Sequence, residues 1–195
     1  MKKDLITAVL MTVATTVLLG IIYPLVITGI AQVAFPHQAN GQLIHRSDGT
    51  LIGSSLIGQP FSGPGYFHSR PSAAGAAGYD ATASSGSALG PTNSQLISRV
   101  NADVAKLQAE NPAVPVPVDL VTTSGSGLDP DITPAAAAFQ VRRVATARGV
   151  PEDEVSKLVR ERSQGRQWGF LGEPRTNVLE LNLTLDEHFG SKPRK

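Results

Sequence analysis

The stretch 5–35 holds no Asp, Glu, Lys, Arg or His, and it constrains the chain more than any other feature. A helix rises about 1.5 Å per residue and a bilayer core takes about 20 apolar residues, so the stretch is long enough to span with tilt. Eleven residues between Val9 and Ile27 are Leu, Ile or Val. At roughly −0.4 kcal/mol each they give on the order of −4 kcal/mol towards insertion, before penalties for Gly20, Pro24 and the threonines. The sequence therefore reads as a single-pass anchored protein: a tail at 1–4, a transmembrane helix at 5–35 and one domain at 36–195.

Lys2 and Lys3 stand before the apolar run, and the first formal charge beyond it is Arg46. The positive-inside rule then predicts a cytoplasmic N-terminus and a main domain outside, which in a bacterium means a cytoplasmic (inner) membrane anchor with the domain in the periplasm or cell exterior. A cleaved signal peptide is the alternative. Its apolar core is about 7–15 residues, roughly half of this one, although Gly29-Ile30-Ala31 offers a small-residue site. Ala8, Thr12, Thr16, Gly20, Pro24 and Thr28 recur at steps of four, on one helix face. Such a face admits a neighbouring helix, which makes Thr12, Thr16 and Gly20 candidate partner contacts; scattered small residues of an ordinary anchor are the plain alternative. Each threonine hydroxyl can bond the carbonyl four residues back. Pro24 removes the bond to Gly20 and is expected to bend the helix there. Without an ionisable group in the span, this helix by itself offers no ion path.

Seventeen basic against 16 acidic residues give a net charge of +1, so no basic face for nucleic acid is expected. The absence of cysteine excludes disulfides, thiolate metal sites and thiol nucleophiles.

Beyond the anchor, Gln42–Arg46 and Thr50–Ile52 flank Asp48-Gly49 and read as a hairpin. The span 60–91 is dense in Gly, Ser, Ala and Pro, yet Tyr66, Phe67 and Tyr79 argue for an ordered irregular loop rather than a linker. Asn93 is placed to cap a helix running to about Glu110, with Leu96, Val100, Val104 and Leu107 as its apolar stripe. The stretch 114–122 reads as a strand with an edge start at Pro115 and Pro117. Thr133-Pro134 opens a helix that stops at Gly149, and Pro151 opens another whose first turn is acidic and whose face is Val155, Leu158 and Val159. Leu179, Leu181, Leu183 and Leu185 alternate with Glu180, Asn182 and Thr184, the pattern of a strand with one buried face. The fold class is α+β: a small sheet with helices packed on it.

The chemistry is sparse. Ser124-Gly125-Ser126-Gly127 lacks the lysine of a phosphate-binding loop and reads as a tight turn, or else as an amide cradle for an anion. No stretch reads GxSxG. Asp129 and Asp131 could hold a cation at a surface, but a full cage needs six or more oxygens; helix-start acids are the plain reading. His68 has no histidine partner at helical spacing, so no metal site is expected. Arg142, Arg143 and Arg148 fall on one helix, either as a solvated face or as a face for an acidic partner. No nucleophile, base and oxyanion site assembles.

Several segments carry more than generic turns. Tyr66-Phe67-His68-Ser69-Arg70-Pro71-Ser72, Leu89-Gly90-Pro91-Thr92-Asn93, Val116-Pro117-Val118-Asp119-Leu120-Val121-Thr122 and Ser124-Gly125-Ser126-Gly127-Leu128-Asp129-Pro130 resemble the KdpC family of the bacterial Kdp potassium-transporting ATPase. So do 135–148, Phe170-Leu171-Gly172-Glu173-Pro174-Arg175 and Asn177-Val178-Leu179-Glu180-Leu181-Asn182-Leu183, seven segments in order over nearly the whole chain. The resemblance implies an accessory subunit, not an enzyme on its own, of a high-affinity potassium importer. Its partners would be a potassium-channel-like subunit that carries the ion, a P-type ATPase subunit that hydrolyses ATP, and one further small subunit. ATP, Mg and K would belong to the complex, and this chain would act as a catalytic chaperone that raises the ATP affinity of the P-type partner. Gln140 matches the stretch in which the family's nucleotide-related glutamine lies. Tyr66, Phe67, His68, Arg70, Arg142 and Arg143 become candidate partner contacts. The competing classes are a membrane-anchored exported hydrolase and a pilin-like structural protein; the latter would need a glycine before the apolar helix and a glutamate at its fifth position, which are absent.

Overall fold

The structure is a computed structural model that describes residues 1–46 and 48–191; Ser47 of the expected hairpin lies outside them. The chain divides into two compact units, Met1–Ser54 and Ser55–Lys195.

The first unit is led by one long apolar helical stretch, Lys2–Ala34, the length and composition needed to cross a membrane. It runs as α1 (Lys2–Thr15), a π-helical segment (Thr16–Ile22) and α2 (Tyr23–Ala34). The π segment lies in the turns just before Pro24. Pro24 has no N–H and its ring crowds the carbonyl of Gly20; widening the preceding turns, so that the Tyr23 N–H reaches the Leu18 carbonyl, absorbs that conflict. Thr7, Thr12 and Thr15 donate to the carbonyls of Lys3, Ala8 and Met11, at 3.0, 2.9 and 2.8 Å, so these hydroxyls carry their own acceptors. A short α3 (Pro36–Ala39) follows. The hairpin then forms as expected from β1 (Leu43–His45) and β2 (Leu51–Ser54), antiparallel, with its register shifting between Ile44 and His45.

The second unit mixes helix and sheet. Residues 55–93 contain no helix or strand, but they are ordered around buried aromatics: Tyr66 is 1 % exposed and Phe67 fully buried. Helix α4 (Ser94–Glu110) is capped by Asn93, whose side chain accepts the Gln95 and Leu96 amides. Its stripe of Leu96, Val100, Val104 and Leu107 is only half-buried. Thr133 caps α5 (Pro134–Arg148), and Gly149 closes it in the left-handed region at φ 71°, where a side chain would be strained. In α6 (Glu152–Arg162) the expected face of Val155, Leu158 and Val159 is buried against the rest of the unit. Three short strands, β3 (Asp131–Ile132), β4 (Ser163–Gln164) and β5 (Arg175–Asn177), form an antiparallel sheet in the order β3-β5-β4.

Two expectations fail. Residues 114–122 are not a strand: they form a 3-10 turn, Val118–Leu120. Pro115 and Pro117 have no N–H for a ladder. Asp119 turns inward instead and accepts the Thr133 amide and hydroxyl at 2.7 and 3.2 Å, which ties this turn to the start of α5. The leucine alternation of 179–185 is not a strand either but lies in α7 (Val178–Phe189). Asn177 accepts the Glu180 amide as an N-cap, and Val178, Leu181, Asn182 and Leu185 share one buried face at steps of three and four. Leu179 and Thr184 are also buried, so the helix is enclosed on most sides and an alternation of apolar and polar letters does not mark its faces.

Candidate functional site

Helices α5 and α7 grip the motif segment 64–68 between them, and they do so through its backbone. The carbonyls of Pro64 and Tyr66 accept from Arg143 Nη1 at 2.7 and 3.0 Å. That of Gly65 accepts from Arg148 Nε at 2.6 Å, that of Phe67 from Asn182 Nδ2 at 2.9 Å, and that of His68 from Gln140 Nε2 at 3.1 Å. Five consecutive carbonyls are thus taken by side chains. Asn182 Oδ1 and Gln140 Oε1 accept the Phe67 and His68 amides in return, both at 2.8 Å. Each amide side chain stands in for a neighbouring strand, which a buried segment of irregular backbone requires.

Charge is locked into the same clamp. Arg148 has a fully buried side chain; it pairs with Asp186 at 2.9 Å, donates to the Leu185 and Gly190 carbonyls, and lies 4.8 Å over the Tyr66 ring. The Tyr66 hydroxyl donates to Asp186 at 2.9 and 3.0 Å. Arg143 pairs with Glu110 at 3.3 Å and donates from Nη2 to Gln140. His68 Nε2 lies 3.1 Å from the Gly63 carbonyl; a carbonyl only accepts, so Nε2 carries the proton. Burial, and then the charge of Arg143, push the His68 pKa down to about 4. The ring is neutral above that pH.

Gln140 is 3 % exposed, and its amide has no free position. Oε1 accepts from His68 and Arg143; Nε2 donates to the carbonyls of His68 and Ala136, the latter at 3.3 Å. Beside it, a cavity of about 330 Å³ lies between the clamp and α4, lined by His68, Ser69, Arg99, Asp103 and Lys106 among others. That volume is at the small end of ligand pockets, roughly 300–1,000 Å³. Arg99 closes one side, donating to Asp103 and to the Val121 carbonyl, both at 3.2 Å.

The other candidates scatter. Thr12, Thr16 and Gly20 are exposed on the long helix of the first unit; a Cβ on Gly20 would meet nothing closer than Thr16 Cγ2 at 3.8 Å. Arg70 pairs with Asp129 at 3.1 Å and donates to the backbone of 122–123. Arg142 is exposed, whereas Arg143 and Arg148 face inward, so the three arginines do not form one basic face. The pair Asp129 and Asp131 answers to two arginines, Arg70 and Arg175, and Asp131 lies in β3 rather than at a helix start. Ser124–Gly127 is a turn. Gly127 sits at φ 68°, and a Cβ there would be 2.5 Å from the Ser85 carbonyl oxygen. Among the described residues no group of three or more His, Cys, Asp or Glu is placed to hold a metal. Asn182 and Asp186 are missed by the sequence reading. The signal for them is an asparagine four residues after Val178 and three before Leu185, a spacing visible only once 178–189 is read as helix.

A family model described as the c chain of the K⁺-transporting ATPase matches residues 5–187, and the chain belongs to that family. The relatives narrow this to KdpC subunits. The chain is 62 % identical over 193 residues to the potassium-transporting ATPase KdpC subunit of Koribacter versatilis (strain Ellin345), covering 99 % of this chain and 97 % of that one. Against the protein of the same name from Caulobacter vibrioides (strain NA1000 / CB15N) it is 62 % identical over 174 residues, 89 % and 88 % of the two chains. With that of Rhodopseudomonas palustris (strain BisB18) the identity is 55 % over 197 residues, 95 % and 98 %.

Proposed function

We propose that this chain is a non-hydrolysing accessory subunit of an ATP-driven potassium importer. It is held in the bacterial inner membrane by residues 5–35, with its N-terminus inside and its second unit outside. It assembles with a potassium-channel-like subunit, a P-type ATPase subunit, and one further small subunit; ATP, Mg and K⁺ are handled by the complex. It raises the ATP affinity of the P-type partner through the membrane-embedded parts of the complex rather than by touching nucleotide.

The observation that carries the last step is the Gln140 amide, all four of whose hydrogen-bonding positions are engaged inside the clamp. A nucleotide could reach it only by displacing the backbone of His68 or the guanidinium of Arg143, which would leave buried partners unsatisfied at about 1–3 kcal/mol each. The charge arrangement supports the same route: Lys2 and Lys3 favour an outer body, while ATP is cytoplasmic. Family membership supports the rest.

Topology is tested with Ser126→Cys, an exposed position on the Ser124–Gly127 turn. Labelling of intact cells by a membrane-impermeant thiol reagent is expected; labelling only after lysis overturns the outer placement. The indirect route is tested by the ATP KM of the purified complex. Removing the chain is expected to raise it. A photoreactive ATP analogue crosslinking to residues around Gln140 in the intact complex would overturn it.

A further inference from the structure

The ribbon β4–β5 ends in a tip, 165–174, in which every residue is exposed. Trp168 is 85 % exposed, Phe170 67 % and Leu171 42 %. The tip is nevertheless built. Gln167 and Leu171 form a bridge with both N–H···O bonds at 2.9 Å, and Arg166 forks onto the two oxygens of Glu173 at 2.9 and 2.8 Å. Trp168 stands at φ 52°, the left-handed region that a bulky side chain seldom adopts. Folding of this unit gains nothing from the indole and carries the backbone strain, so the return lies outside the unit.

We infer that this tip is a foot on the bilayer surface: Trp168, Phe170 and Leu171 enter the interfacial layer of an anionic membrane, and Arg160 and Arg162 meet its phosphate headgroups. The inference rests on the reading of 5–35 as a membrane anchor. Three observations select lipid over a protein socket. The apolar side chains are those of the membrane interface, an indole above all. No charged side chain lies between Arg166 and Glu173, and those two neutralise each other, so the tip itself enters without an unpaired charge. Next to the root of the ribbon, Arg160 and Arg162 end α6 exposed and, among the described residues, without an ion pair, which complements anionic headgroups. A tether then keeps the foot in reach. Only residues 35–54 separate the end of α2 from the second unit, at most about 70 Å even fully extended.

Trp168 is the one tryptophan of the chain, so its emission reports on the tip alone. The full chain is reconstituted into phosphatidylglycerol–phosphatidylcholine vesicles, with ordinary or dibrominated acyl chains. The expected result is a blue-shifted emission that loses intensity in the brominated vesicles relative to the ordinary ones, as an indole at the membrane interface would. The double variant Arg160→Gln/Arg162→Gln is expected to lower the quenching towards its level in phosphatidylcholine alone. Water-like, unquenched emission from a chain that floats with the vesicles overturns the inference. A chain that fails to float overturns the anchor reading, and this inference with it.

Discussion

The segment 64–68 and the ribbon tip 165–174 are both irregular backbone, and they are built on opposite principles. In the first, the carbonyls are gripped one after another by Gln140, Arg143, Arg148 and Asn182, and the aromatic rings face inward. In the second, the backbone satisfies itself through the Gln167–Leu171 bridge and the apolar side chains face outward. Motif residues thus serve two ends: around 64–68 the clamp fixes the shape of the unit, and at 170–173 the tip leaves surface for something else to cover.

That contrast breaks if damage to the clamp is mild. Arg148→Met leaves Asp186 without its cation and the Gly65, Leu185 and Gly190 carbonyls without a donor. A loss of about 4 kcal/mol in unfolding free energy is expected, measured by urea titration of the detergent-solubilised chain. Acid should act on the same region. The folded pKa of His68 is about 4 against an unfolded 6.5, so between those values the unfolded chain binds a proton that the folded chain refuses. The contribution of His68 is full above pH 6.5 and falls by about 3 kcal/mol as the pH drops to 4; His68→Gln should flatten that part of the pH–stability curve. At the tip the effect should be smallest. Trp168→Ser is expected to change stability by less than about 0.5 kcal/mol in the same titration, and a larger loss would move the tip into the scaffold class.

Local chemistry made much of the second unit legible. Asn93, Thr133 and Gly149 set helix ends as their types require, because a cap is an interaction between a residue and its own neighbours. Patterns that depend on distant partners were not legible. Leu179 to Leu185 alternate like a strand, but the faces of α7 are decided by what encloses them. The β-like stretch before Asp119 is overridden by a bond to Thr133, fourteen residues away. Gln140 and the arginines of α5 were visible as polar positions on a helix. That they grip the backbone of 64–68 depends on contacts 72 to 83 residues apart, which no window of sequence contains.

The grip on Tyr66 and Phe67 has a consequence for the order in which the protein is made. Asn182 and Asp186 stand 115 and 120 residues downstream of the groups they hold. A growing chain that has released 66–67 from the ribosome meets Arg143 and Arg148 of α5 first, and the partners of the Phe67 backbone and of the Tyr66 hydroxyl only once α7 has been synthesised. The clasp therefore closes in two stages, and a polypeptide stopped between α5 and residue 182 would hold the carbonyls of 64–66 and 68 through α5 but leave the Phe67 backbone and the Tyr66 hydroxyl unmet.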